Sequence, residues 1–192
     1  MIRSEAFFLS GRSGALFCLA HHPEGRPRGA VLLVQPFAEE ANKARSALVA
    51  VARECAAAGY LALIGDVGGC GDSGGDFGDA LWSDWIADLE DFAAWLAERS
   101  GGPLALIGLR LGALLASAAL GQGLAADALL ALAPLASGKL ALTQFLRLGA
   151  AAELGEDPGS RLDTRAWRAR LAAGESVEVA GYSLSPGLAA AI

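Results

Sequence analysis

The sequence predicts a single α/β domain built on a mostly parallel sheet, with helices on both faces and an antiparallel hairpin at its N-terminal edge. Three observations carry this. Continuous apolar runs of strand length recur at Ala30–Val34, at Tyr60–Ile64, from Leu104, and at Ala128–Ala133, the pattern of strands buried on both faces. Helical periodicity fills the intervals between them, so strands and helices alternate as in βαβ units. Hydrophobic residues make up 54% of the chain but aromatics only 7%, the signature of Ala/Leu-rich helices packed over a sheet.

In chain order, Ala6–Leu9 and Ala15–Ala20 flank Ser10–Gly14 and form the hairpin. Arg26-Pro27-Arg28-Gly29 leads into Ala30–Val34, which stops at Gln35-Pro36-Phe37. After a polar loop, Ala41–Ala58 is helical and ends at Gly59, a natural C-terminal cap. Tyr60–Ile64 is the next strand, followed by a glycine-dense loop to Gly78. Trp82, Trp85, Ile86, Leu89, Phe92, Ala93 and Leu96 then recur at three- and four-residue steps, one face of a helix. Gly101-Gly102-Pro103 closes it and introduces the strand from Leu104, the turn Gly108–Gly112 and a helix to Leu120. Ala128–Ala133 reads as one more buried strand. Beyond Pro134, Leu140–Ala152 is helical, Glu153–Ser160 a polar loop, Thr164–Ala173 a short basic helix, Ser176–Ala180 an extended segment, and Ser185–Ile192 the start of a helix.

Charge and composition narrow the partners. A net charge of -6 and a pI near 4.9 argue against nucleic acid and anionic membranes, which reward clustered Lys and Arg; the basic residues are scattered apart from Arg161, Arg165, Arg168 and Arg170. The longest apolar stretch, Leu104–Leu120, is shorter than the roughly 20 residues of a membrane helix and carries Arg110 near its middle. Cys18, Cys55 and Cys70 have no metal-ligand spacing, and Met1–Glu5 lacks the apolar core of a signal peptide, so a reduced, cytoplasmic setting is expected. No cofactor and no metal are expected. If Ala128–Ala133 ended the sheet, its unpaired backbone groups would favour a homo-oligomer through that edge.

Gly108-Leu109-Arg110-Leu111-Gly112 has the spacing of a G-x-S-x-G nucleophile elbow with arginine at its centre. Guanidinium is always protonated and cannot attack a carbonyl, so serine chemistry is excluded there. Asp66-Val67-Gly68-Gly69-Cys70-Gly71-Asp72-Ser73 fits a D-x-x-G-x-G-x-S loop. With the loop after Val34, these landmarks resemble an α/β-hydrolase, and more closely the exosortase A system-associated hydrolase 2 family of exopolysaccharide and protein-sorting clusters. Gln35–Lys43, Gly69–Ser73, Gly75–Asp79, Gly108–Leu115 and Leu142–Arg147 carry that resemblance along nearly the whole chain. It implies hydrolysis of an ester, thioester or amide, with arginine at the elbow as a family trait. It also implies His where Gln35 stands and more chain beyond Ile192, so the domain at residues 1–192 is expected to lack the C-terminal part of its fold. In the superfamily's order the acid and the histidine follow the elbow. Here the two histidines, His21 and His22, precede it.

The resemblance places oxyanion-hole N–H groups at Phe37 and Leu111, which do not depend on the side chain. Arg110 beside them either binds a carboxylate or phosphate, takes part in catalysis, or pairs with Glu39, Glu40 or Asp66 to hold the loops. Glu39 and Glu40 could do acid–base work or stabilise a helix start. Gln35, Asp66, Ser73, Gly108 and Gly112 are expected to shape the loops, while Cys70 between glycines is expected to be exposed, and His21 and His22 to sit in a surface turn. Two functional readings follow: a hydrolase acting on a small acyl substrate, or a non-catalytic anion-binding or scaffold protein.

Overall fold

The computed structural model describes residues 2–12, 14–152 and 164–192. Its main sheet has six strands, β1 (Arg3–Gly11), β2 (Gly14–His22), β3 (Ala30–Val34), β4 (Leu61–Gly65), β5 (Leu104–Leu109) and β6 (Ala128–Leu132), in the spatial order β1-β2-β4-β3-β5-β6. β1 and β2 form the antiparallel hairpin, β2 joins β4 antiparallel, and β4, β3, β5 and β6 run parallel. The helices are α1 (Ala38–Ala57), α2 (Trp82–Ser100), α3 (Leu111–Gly121), α4 (Gly138–Ala152), α5 (Thr164–Ala172) and α6 (Pro186–Ala191).

Alternation along the strands divides the core. Val31, Leu33, Ala62, Ile64 and Ile107 face α1 through Leu48 and Ala52. Leu32, Val34, Leu63 and Leu106 turn the other way, against Trp85, Leu89 and Phe92 of α2 and Leu115 of α3. Each of the larger side chains, the Val, Leu, Ile and Phe residues, contributes about 1.5–3 kcal/mol by leaving water, so two opposed layers fix the register from both sides. The hairpin is tied down at its tip, where Arg12 reaches Asp91 at 3.1 Å, Glu90 at 2.6 Å and the carbonyl of Ala87 at 2.8 Å on α2.

Several expectations are corrected. α1 begins at Ala38, so Glu39 and Glu40 lie in its first turn rather than in a loop, where carboxylates complement the helix dipole. β6 is the sheet edge and not a buried strand: its residues are exposed or half-buried, with Leu130 53% exposed. An apolar run has the same appearance whether or not a neighbour covers it. The extended segment near Val177 is half of a second hairpin, β7 (Val177–Val179) with β8 (Tyr182–Leu184), forming a separate two-stranded sheet. The loop Glu153–Ser160 and Arg161 lie outside the described residues. No helix among the described residues is long and apolar enough to cross a membrane.

His21 and His22 are the last residues of β2 and not a surface turn. His21 pairs with Ala62 at the start of β4, is 1% exposed, and has Nδ1 2.8 Å from the hydroxyl of Ser4. Its Nε2 is buried without a partner among the described residues. Burial first, then the charges of Arg53 and His22, hold its pKa below the ordinary value, so the folded chain favours the neutral ring. The unfolded chain then binds protons more readily. His21 therefore costs no stability above about pH 6.5 and progressively more as the pH falls from there towards its lowered folded value. Urea midpoints measured from pH 8 to 5 should fall more steeply for the wild type than for His21→Leu. Equal slopes would refute the assignment.

Candidate active site

The parallel strands end together, and three of the four deliver a loop residue to the same rim: Gln35 after β3, Asp66 after β4, Arg110 after β5. Such C-terminal ends are where open α/β sheets place their sites. At the third of them Arg110 has φ 53° and ψ -113°, an unfavourable conformation for a residue with a side chain. Its N–H donates to Leu132 O on β6 at 2.9 Å, and its carbonyl accepts from Ala113 N at 3.2 Å. The neighbouring glycines permit close approach. A Cβ on Gly108 would lie 2.4 Å from the Cα of Ala113, so β5 and α3 meet at this bend only because the atom is absent.

The arginine is occupied within the chain. Its Nε lies 2.9 Å from each carboxylate oxygen of Glu40, and its Nη2 donates to Gln144 Oε1 of α4 at 2.5 Å. Both partners are about one-third exposed, Arg110 at 31% and Glu40 at 29%, so the pair acts as a clasp between α1, the turn and α4 more than as a large source of stability. The recess around it, bounded by Phe37, Leu135 and Leu148, holds only about 10 Å³. Glu39 turns instead to Lys43, 3.2 Å away on the exposed side of α1.

A second cluster lies under the glycine loop. Asp66, 1% exposed, accepts from Arg45 Nη2 at 2.9 and 3.1 Å, from Asp72 N at 3.0 Å, and from Gln35 Nε2. Gln35 also donates to Gly65 O at 3.0 Å. Ser73 Oγ donates to Asp66 O at 2.5 Å and accepts from Phe17 N at 2.8 Å, so its hydroxyl joins the loop to β2. From α2, buried Asp88 accepts from Gly68 N at 2.8 Å and Trp85 Nε1 donates to Gly68 O at 2.9 Å. Cys70 is half-buried rather than exposed, and its thiol is pushed up to about 12 by burial, reinforced by Asp66 and Asp88. A thiol so raised is no nucleophile at neutral pH.

Between the two clusters lies a cavity of about 310 Å³. Phe37 and Leu111 both line it, together with Gln35, Asp66 and Cys70, whereas Arg110 does not. Phe37 is packed among Phe77, Trp85 and Phe145 at centroid distances of 6.0, 6.2 and 4.9 Å, which fixes the loop carrying it. His21 and His22 lie near the opposite end of the sheet, beside the first residues of β4. Sequence reasoning missed Arg45, Gln144, Asp88 and Tyr182. Asn42 and Arg45 share a helix face at a three-residue step, which was the one available hint of the first.

A mostly parallel sheet, helices on both faces and a strained strand-turn-helix at the site define the class: this is an α/β-hydrolase fold. Residues 20–170 match the model of the X-Pro dipeptidyl-peptidase (S15) family, and the chain belongs to that family. Among solved structures it is similar to XC6422 from Xanthomonas campestris, described as an α/β serine hydrolase without lid, with 23% identity and a TM-score of 0.59 over 69% of this chain and 62% of that one. Est1E from Butyrivibrio proteoclasticus, solved with ferulic acid bound, has 18% identity and a TM-score of 0.65 over 96% of this chain and 69% of that one. Protein PA2218 from Pseudomonas aeruginosa has 13% identity and a TM-score of 0.62 over 99% and 70%. The chain thus spans about three-fifths of the length of the Xanthomonas protein, and these likenesses are of fold. No curated protein sequence matches it.

Proposed function

We propose that this chain is a ligand-binding member of its hydrolase family, of the exosortase A system-associated hydrolase 2 type, in which the elbow residue is a structural clasp and not a nucleophile. The observation that carries this reading is Arg110 itself. It keeps the strained backbone of an elbow while its guanidinium is committed to Glu40 and Gln144. An always-protonated group cannot open an acyl centre, and the hydroxyl of Ser73 in the glycine loop is spent within that loop. The motifs Gln35–Lys43, Gly69–Ser73 and Gly108–Leu115 support the subfamily, and three free cysteines support a reducing, cytoplasmic setting.

The test is turnover. Purified chain incubated with p-nitrophenyl acetate and butyrate, a butyryl thioester and Gly-Pro-p-nitroanilide should release product no faster than buffer alone. Hydrolysis that disappears in Arg110→Ala would overturn the reading and return the elbow to catalysis.

A further inference from the structure

The 310 Å³ cavity is lined mostly by uncharged groups. Its floor is apolar and buried, formed by Leu32, Leu89 and Leu115, and its sides carry the rings of Phe37, Trp85, Phe92 and Tyr182. It opens between α1 and the glycine loop, where Asn42 and Gly71 are exposed. Its volume is that of about ten water molecules, enough for one ring and a short chain.

Among the described residues, only two charged ones line it, Arg45 and Asp66, and they are paired with each other. A carboxylate entering the cavity would lose its hydration and meet Asp66, and an ammonium would meet Arg45; neither finds an unpaired counter-charge. A neutral acceptor does find donors. Arg45 uses Nη2 on Asp66, and among the described residues its Nε and Nη1 make no hydrogen bond. Asn42 Nδ2 rests on the phenol of Tyr182 at 3.2 Å, a long contact that a better acceptor could replace.

We propose that this cavity, and not the Arg110 apex, is the ligand site, and that it takes an uncharged molecule with an aromatic body and one carbonyl or amide end directed to Arg45 and Asn42. The proposal deepens the binding-protein reading and rests on it for its biological meaning. The recess beside Arg110, holding about 10 Å³, is too small for such a ligand, and the cation there is already neutralised by Glu40.

Calorimetric titration of the full chain with three probes of similar size and different end-group charge tests this. 3-Phenylpropanamide should bind at least about tenfold more tightly than 3-phenylpropanoate or 3-phenylpropylamine at pH 7. In Arg45→Gln, where Asp66 loses its counter-charge, the preference should move to the amine. Leu115→Trp, which fills the floor, should abolish binding of all three while circular dichroism remains native. If Leu115→Trp does not fold, Ala41→Trp at the side of the cavity serves the same purpose. Carboxylate binding as tight as amide binding, or no probe binding more tightly than about 1 mM, overturns the ligand assignment. Release of 3-phenylpropanoate from the bound amide, followed by NMR, would instead sink the non-catalytic reading and leave the ligand class standing.

Discussion

Gly112→Ala is expected to destabilise the protein by about 4 kcal/mol or more, lowering Tm by roughly 8–16 °C. The added Cβ would lie 2.2 Å from Val34 O and 2.6 Å from Gln35 O. Both are backbone atoms at the end of β3, so no rotamer change relieves the clash. α3 would have to retreat from the sheet, carrying Leu111 away from Phe37 and opening the cavity they share. Thermal unfolding should therefore be accompanied by weaker binding of the neutral probe. Gly121→Ala in the last position of α3 is the internal control, because nothing lies within 4 Å of its added Cβ. It should change stability by no more than about 0.5 kcal/mol. If the two substitutions behave alike, close approach of α3 and β3 is not what requires glycine at 112.

Asp66→Ala is expected to cost about 3 kcal/mol. The carboxylate is buried and collects Arg45, Gln35 and the N–H of Asp72, all of which its removal strands. The figure belongs at the lower end of the range for a broken buried pair, because Arg45 is 31% exposed and its orphaned charge can reach water. Asp66→Asn keeps an acceptor for Asp72 and should lose less. A shift in the urea midpoint worth under about 1 kcal/mol would reduce the pair to the rank of a surface bridge.

The parallel strands, their order along the chain and the elbow were legible because each rests on a local pattern. A buried apolar run, a period of 3.6 and a pair of glycines around one residue need no knowledge of the rest of the fold. What stayed illegible depends on distant neighbours. β6 has the same composition as a central strand, and only its place at the edge exposes Leu130. His21 is buried because β4 lies beside it, a fact absent from the tripeptide around it. The β7–β8 hairpin turns at Ala180-Gly181, with φ of 49° and 81°, and alanine in the first of these positions hides a turn that Asn or Asp would have announced. At the site, the choice of Glu40 over Glu39 as the partner of Arg110 was set by where α1 begins: three residues earlier than its apolar pattern suggests.

The strand order has a consequence for biosynthesis. β3 lies at the middle of the sheet between β4 and β5, yet β5 is translated only after α1, β4 and α2. During that interval a nascent chain that has already paired β3 with β4 presents the other edge of β3, Ala30–Val34, uncharged and apolar along its whole length. Non-local pairing of this kind is slow, and an open apolar edge is a template for a second chain. Emergence of Leu104–Leu109 closes it. Until β5 is in place, the strand order leaves that edge of β3 as the position where another strand could add.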